Sequence, residues 1–355
     1  MSEKIFIKSS IHDYAVFFTN DFSTFLSHHA GEGDVCIIDK AVYQIYEKIF
    51  CKIPSHCKKF LIGPSEDQKE YSRLGAIIQF LIENEFRKNN KLIAIGGGIT
   101  QDIVAFIASN LFRGVDWVFY PTTLLAQCDS CIGGKSSINF GKFKNQLGTF
   151  YPPNEIIVDS NFLKTLSDLD IRSGLGEMIH FFLVSSEDDF NLINTCYESA
   201  GKDQDMIKKL IKRSLQIKKK TIEIDEFDLK ERQLFNYGHS FGHAIESLTN
   251  YKIPHGVAVS FGMDIANYLS AKLGYISIEL YEKIQSLLRK NVIGFSLQQI
   301  DLKRFEAAIK KDKKNVGTKI NVILTCGIGE MFKSELIINS QVRNWLKEYF
   351  MAATY

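Results

Sequence analysis

The chain has 355 residues, 45% of them hydrophobic and 24% charged, with a formal net charge of +2. That length holds two ordinary domains, and the near-neutral balance gives no reason to expect nucleic acid or an anionic membrane as partner. No apolar run is long enough to span a membrane, the best being Ile179–Val184, and Met1–Lys8 lacks the apolar core of a signal peptide, so a cytoplasmic protein is expected.

Val35–Asp39 reads as a short apolar strand ending in an acid, and Phe60–Gly63 as another that runs into Pro64. Residues 67–88 carry Leu74, Ile77, Ile78, Leu81 and Phe86 at helical spacing. Leu92–Ile95 is a strand closed by Gly96-Gly97-Gly98, and a helix is expected from Ile99 to Leu111. Trp117–Tyr120 stops at Pro121, and Glu155–Asp159 is a further strand. Alternating strands and helices with glycines at strand ends imply a doubly wound α/β sheet. Beyond about residue 160 long Leu/Ile/Lys/Glu patterns imply a mostly helical domain, with Lys319–Leu324 as a late strand or hairpin arm. The expected division is an α/β domain over 1–158 and a helical domain over 159–355, with the active site in the cleft between them. The seven cysteines (36, 51, 57, 128, 131, 196 and 326) are odd in number and scattered, which fits a reduced compartment, and Cys128-Asp-Ser-Cys131 reads as buried thiols.

The glycine run at 96–98 sits where a strand opens into a helix, so backbone can approach a phosphate at a positive helix end. It lacks the G-x-G-x-x-G spacing, since Thr100 and Gln101 come next. With Asp39, Glu66, Lys69, Thr122 and Thr123 at neighbouring strand ends it suggests a dinucleotide, with its ribose on Asp39; caps and turns are the plain reading of each alone. Arg113, Asp129, Gly133-Gly134-Lys135 and Lys144-Asn145 lie close in sequence, a set able to hold a phosphorylated substrate.

Histidine is scarce, eight in all, yet three fall in Asn236-Tyr-Gly-His239-Ser-Phe-Gly-His243-Ala-Ile-Glu246 and Pro254-His255-Gly256. His239 and His243 are spaced i, i+4 on one helix face, and His255 can complete a metal's ligands. Glu177, in Gly174-Leu-Gly-Glu177-Met-Ile-His180, is the best candidate for a carboxylate ligand. Lys218 lies in a lysine-rich helix whose default reading is a solvated face.

Taken in order, Gly96–Asp102, Arg113-Gly-Val, Pro121–Ala126, Asp129–Lys135, Lys144-Asn145, Gly174–Glu177, Asn236–Glu246, Pro254–Gly256 and Asp312–Lys314 resemble the 3-dehydroquinate synthase family of sugar-phosphate cyclases, over about residues 30–330. The resemblance implies an N-terminal NAD-binding domain and a C-terminal metal-binding domain. It places a divalent metal, zinc or cobalt, on Glu177, His239 and His255, and turns His243 toward substrate phosphate. Arg113, Lys135, Asn145 and a lysine of Lys313-Lys314 would join His243 on that phosphate. Asp129, Lys218 and Asn236 would face ring hydroxyls, and Arg232 a carboxylate. NAD would lie against Asp39, Glu66, Lys69, Gly97, Gly98, Asp102, Thr122, Thr123 and Lys144. The chemistry implied is reversible oxidation by NAD, phosphate elimination, reduction and an intramolecular aldol closure, with proximity supplying much of the rate. The implied reaction takes 3-deoxy-arabino-heptulosonate 7-phosphate to 3-dehydroquinate, in a homodimer of the shikimate pathway.

Two positions depart from the family pattern. His180 stands where the family's Glu-x-x-Lys has lysine, and Gln101 where glycine is usual. His180 can hydrogen-bond substrate, shuttle a proton or join the metal, although a fourth protein ligand would remove the open catalytic position. A sister cyclase acting on an amino analogue, sedoheptulose 7-phosphate or glucose 6-phosphate is the alternative. Arg232 and Asn236 argue for the carboxylated substrate. Metal-dependent polyol dehydrogenases share the architecture but have no need of Arg113, Lys135 and Asn145, and a non-catalytic scaffold has no need of a metal triad.

Overall fold

A computed structural model describes residues 3–141, 143–310 and 319–353. Nine strands lie in the first half: β1 (Lys4–Ile7), β2 (Tyr14–Thr19), β3 (Val35–Asp39), β4 (Lys58–Ile62), β5 (Leu92–Gly96), β6 (Trp117–Pro121), β7 (Ile138–Phe140), β8 (Phe143–Leu147) and β9 (Glu155–Asp159). Seven form one sheet in the order β1-β2-β9-β6-β5-β3-β4, and β7 pairs with β8 as a separate hairpin. Apart from the antiparallel β1–β2 pair, the large sheet is parallel. A parallel sheet is covered on both faces, so its strands need continuous apolar runs; accordingly every residue of β5 and β6 is buried.

β3 is flanked by β4 on one side and β5 on the other, so the chain reverses direction across the sheet at β3. The crevice beyond the carboxyl ends of β3 and β5 is the place where such sheets hold ligands. Asp39 closes β3 and Gly96 closes β5, which puts the expected cofactor residues at that switch point.

By contact density the described chain falls into two units. One comprises Met1–Leu166 with Lys218–Phe227, the other Ser167–Ile217 with Asp228–Tyr355. Residues 159–166 therefore go with the sheet: Phe162 packs on Phe22 (centroids 4.4 Å apart) and meets Tyr46 edge-on (5.2 Å). Lys218–Phe227 spans the end of the helix Gln204–Ile224 and the three residues after it, and Glu223 and Glu226 hold it in the first unit. Their carboxylates accept hydrogen bonds from the Lys8 and Ser10 backbone and the Ser9 hydroxyl.

The second unit is built on the helices Asp168–Ser185, His239–Leu248 and His255–Lys272. Its late strand, β10 (Lys319–Thr325), pairs antiparallel with β11 (Met331–Ile337), the hairpin arm expected from Lys319–Leu324. No described helix is long and apolar enough to cross a membrane.

One expected helix is shorter than its periodicity suggests. Residues 67–88 divide into a 3-10 turn at Glu66–Lys69, an extended Glu70 and a helix over Tyr71–Glu83. The turn forms because Lys69 is drawn into the interior, where it is 5% exposed, to meet two carboxylates. Glu85, left-handed at φ 58°, ends the helix early.

Candidate active site

In the second unit the metal candidates are positioned by backbone contact. A Cβ on Gly176 would lie 2.0 Å from the Gly256 carbonyl oxygen, and a Cβ on Gly256 would lie 1.8 Å from that of Ser173. Only glycine lets the helices Asp168–Ser185 and His255–Lys272 touch there, and the touching residues are the sequence neighbours of Glu177 and His255. The contact sets Glu177 Oε1 3.2 Å from His255 Nε2 and 3.6 Å from His239 Nε2. His239 opens its helix directly after Gly238, whose φ of 77° makes the turn into it.

Glu177, His239 and His255 each offer a ligand atom, all within 4.8 Å of one another. Glu177 Oε1 is fully buried and receives no hydrogen bond. A buried carboxylate oxygen without a donor is costly, and a cation between it and two imidazoles removes that cost. The outer nitrogens are already engaged: His239 Nδ1 lies 3.1 Å from the Tyr237 carbonyl, and His255 Nδ1 lies 3.0 Å from Glu246 Oε2. Both contacts favour the tautomer that leaves Nε2 free to ligate. The residues present therefore fit a divalent metal.

The electrostatics agree. Burial alone would raise the Glu177 pKa, but His239 and His255 outweigh it and hold the carboxyl far below its usual range. Burial opposes charge on His255, yet the neighbouring Glu177 and Glu246 carboxylates raise it well above an ordinary imidazole, so metal binding must expel a proton there. A second set, His243, Glu246 and His255, also has ligand atoms within 4.8 Å, but in it Glu246 is the hydrogen-bond partner of His255 Nδ1. His243 is exposed, and crowding by protein followed by the charges of His239 and His255 holds it below the usual imidazole value, as a neutral side chain.

His180 is 1% exposed and sits among the rings of Phe181, Phe235, Tyr237 and His239, whose centroid is 5.1 Å away. It belongs to neither ligand set found among the described residues. Arg232 is 4% exposed, and Asn236 Nδ2 donates to the Gln233 carbonyl in the same 3-10 segment.

In the first unit Lys69 is the hub. Its ammonium lies 2.8 Å from Asp102 Oδ2 and 3.4 Å from Glu66 Oε1, and donates to Asn145 Oδ1 at 3.0 Å and Ser137 Oγ at 3.2 Å. Burial disfavours its charge, but Asp102 and Glu66 prevail and raise its pKa. Asp102 Oδ1 also accepts from the Ser137 backbone, and Asn139 joins Glu66 to Asn145 by donating to the first and accepting from the second. Lys144 approaches Glu66 at 3.9 Å. A cavity of about 320 Å³ opens here, lined by Asp102, Lys135, Ser137, Thr149 and Phe150.

Gly97 caps the helix Gly98–Asn110. A Cβ on Gly97 would meet Thr123 at 2.9 Å, whereas one on Gly98 would meet nothing within 4 Å, so space stands open at the helix end. The Thr122 amide bonds to the Gly96 carbonyl, and the Thr123 hydroxyl accepts from Ala126. Asp39 Oδ1 caps its own helix through the amides of Ala41 and Val42. These groups fit a dinucleotide. Lys218, 7% exposed, donates to both the backbone oxygen (2.7 Å) and Oδ1 (2.8 Å) of Asp129, so the plain reading of a solvated lysine fails. Gln101 exchanges two hydrogen bonds with Ser130, 2.5 and 2.6 Å, beside Asp129. Arg113 is exposed on a left-handed turn. Lys313 and Lys314 lie outside the described residues.

Sequence reasoning missed Glu246, Ser137 and Asn139. Glu246 had a signal: it lies i+7 from His239 and i+3 from His243, a carboxylate on a histidine face. Ser137 and Asn139 are joined to the site only through tertiary hydrogen bonds.

Residues 59–173 match the family profile described as 3-dehydroquinate synthase N-terminal, and 174–315 that described as 3-dehydroquinate synthase C-terminal. The chain is 33% identical to the 3-dehydroquinate synthase of Alkaliphilus metalliredigens (strain QYMF) over 353 residues, 98% of this chain and 99% of that one. Its fold is similar to 2-deoxy-scyllo-inosose synthase complexed with carbaglucose-6-phosphate, NAD+ and Co2+ (TM-score 0.85, 20% identity, 99% of this chain and 100% of that one). It is also similar to 2-epi-5-epi-valiolone synthase from Streptomyces hygroscopicus subsp. jinggangensis 5008 with NAD+ and Zn2+ bound (TM-score 0.82, 22% identity, 94% and 95% covered).

Proposed function

The chain belongs to the 3-dehydroquinate synthase family, and from that premise we propose that it converts 3-deoxy-arabino-heptulosonate 7-phosphate to 3-dehydroquinate and phosphate. The reading treats it as an NAD- and divalent-metal-dependent, phosphate-eliminating cyclase of the cytoplasm, assembled as a homodimer. The observation that carries it is the set Glu177, His239 and His255, in which a buried carboxylate oxygen without a donor faces two imidazole nitrogens. Identity of 33% to a dehydroquinate synthase, against 20% and 22% to the sister cyclases, supports the carboxylated substrate.

When bound, the metal supplies Lewis acidity at a substrate oxygen and NAD a reversible hydride acceptor. The chain's own residues divide the remaining work. Glu177, His239 and His255 hold the metal, with Tyr237 and Glu246 orienting the imidazoles. The amides opening the helix Gly98–Asn110 receive the pyrophosphate, with Asp39, Glu66, Lys69, Asp102, Thr122, Thr123 and Lys144 around the cofactor. Arg113, Lys135, Asn145 and His243 bind the substrate phosphate. Lys218, fixed by Asp129, offers an ammonium to ring oxygens, and Asn236 an amide. Arg232 pairs with the substrate carboxylate.

The test is phosphate release from the heptulosonate with NAD and Zn2+ or Co2+ present, and with no net NADH. Release from sedoheptulose 7-phosphate or glucose 6-phosphate alone would move the chain to a sister activity. Accumulating NADH would make it a dehydrogenase.

A further inference from the structure

Arg113 sits in an unusual stretch of backbone. Phe112 (φ 49°), Arg113 (φ 61°) and Gly114 (φ 107°) are three consecutive residues in the left-handed region, and two of them carry a Cβ. L-residues adopt that region as isolated exceptions, since Cβ crowds the following carbonyl. Such strain persists only where the surroundings impose it, and it gathers at sites of function. Here it falls on an exposed arginine that has no carboxylate partner among the described residues.

A lysine from another loop reaches this turn. The Lys88 ammonium donates to the Phe112 carbonyl at 3.1 Å and also to the Gly114 carbonyl, so it grips the chain on either side of Arg113. Its own loop is firmly held. Asn90 accepts from the Arg87 amide at 2.8 Å and donates to the Glu32 carbonyl at 3.0 Å, and the Phe86 amide returns to Leu81 at 3.0 Å. Two further backbone bonds brace the turn, Gly114 to Leu111 and Val115 to Ala108. An ammonium suits the grip, because its three N–H donors reach both carbonyls at once and its charge strengthens each bond.

We infer that Lys88 is a positioning residue that holds the strained turn and so fixes Arg113 for the substrate phosphate. The inference rests on the proposed role of Arg113 as a phosphate ligand. Lys88 touches neither substrate nor cofactor in this scheme; its contribution passes entirely through the carbonyls that flank Arg113.

The experiment is a double-mutant cycle on the full-length enzyme with NAD and Zn2+, reading KM and kcat for the heptulosonate 7-phosphate. Lys88→Met keeps the aliphatic stem and is expected to raise KM about ten-fold with kcat within about two-fold, the signature of lost uniform binding. Lys88→Arg restores most of the loss. Arg113→Ala raises KM at least as far, and adding Lys88→Met to it changes nothing further. Lys88 is exposed, so folding is not at stake, and melting temperatures check that. The inference is overturned if Lys88→Met raises KM by the same factor with and without Arg113. It is overturned alone if Arg113→Ala raises KM while Lys88→Met does not. If Arg113→Ala leaves KM unchanged, the phosphate reading of Arg113 falls and takes this inference with it.

Discussion

Replacing Glu246 tests whether the metal centre depends on a residue that does not ligate. Its carboxylate takes the His255 Nδ1–H at 3.0 Å and is only 13% exposed, so water screens the contact poorly. Burial opposes the Glu246 charge, and the bond to His255 overcomes it and lowers the pKa, which leaves a charged acceptor behind the imidazole. A charge-assisted hydrogen bond of this kind contributes roughly 1.5–3 kcal/mol. Loss of a carboxylate behind a ligating histidine raises the metal dissociation constant about 10–100-fold, or roughly 1.4–2.7 kcal/mol. The two routes agree. Glu246→Ala is expected to fall in that range, and Glu246→Gln, which keeps an acceptor without the charge, to lose about half as much free energy. Competition with a zinc-chelating dye measures both. Affinity within two-fold of the parent for Glu246→Ala, or a Gln variant weaker than the Ala variant, would refute the reasoning.

His239→Ala should abolish metal binding while His243→Ala keeps the metal and raises KM for the phosphorylated substrate; equal metal loss in both, by elemental analysis, contradicts that division of roles. Gly176→Ala drives a Cβ to 2.0 Å from the Gly256 oxygen, so the helices must part; the expected cost is about 1–3 kcal/mol in urea melts, with metal affinity down at least about ten-fold because ligand distances tolerate only ~0.2 Å. An unchanged zinc affinity would show that the helix contact does not set the ligand spacing. Asp189 is 6% exposed, takes Arg213 in a two-point pair at 2.7 and 2.8 Å, and accepts from Ser185 and Ser186, so Asp189→Ala should cost about 3 kcal/mol near neutral pH. Burial opposes the Asp189 charge, but these partners lower its pKa. Its stabilisation is therefore complete above the unfolded carboxyl value of about 3.9 and disappears as pH falls through the folded value, so the gap between variant and parent should narrow in urea melts at about pH 3. A gap independent of pH would contradict this.

What could be read from the sequence was what chemistry writes locally. Val35–Asp39, Leu92–Ile95 and Trp117–Tyr120 announce buried parallel strands by continuous apolar runs, and Gly96–Gly98 marks the strand end where backbone must be bare. The helical face shared by His239 and His243 is likewise a local pattern. The rest depended on partners distant in sequence. Gly176 and Gly256 look like helix weaknesses until the opposing backbone is seen. Lys218 reads as a solvated lysine because its partner, Asp129, is 89 residues away. The 67–88 periodicity ran past the real helix end because nothing local warns that Lys69 turns inward or that Glu85 adopts a positive φ. His180, read as a possible ligand or substrate contact, is enclosed by aromatic rings supplied in part by Phe235 and Tyr237.

The Lys69 hub has a thermodynamic corollary. One ammonium is shared by Glu66 and Asp102, assigned to the cofactor, and by Asn145, assigned to the substrate phosphate. Under those assignments the two ligands draw on the same buried charge, and occupancy of one subsite alters the stiffness and potential of the other. Reciprocity then applies: whatever factor by which the nucleotide changes the affinity for the phosphate ester, the ester changes the affinity for the nucleotide by the same factor.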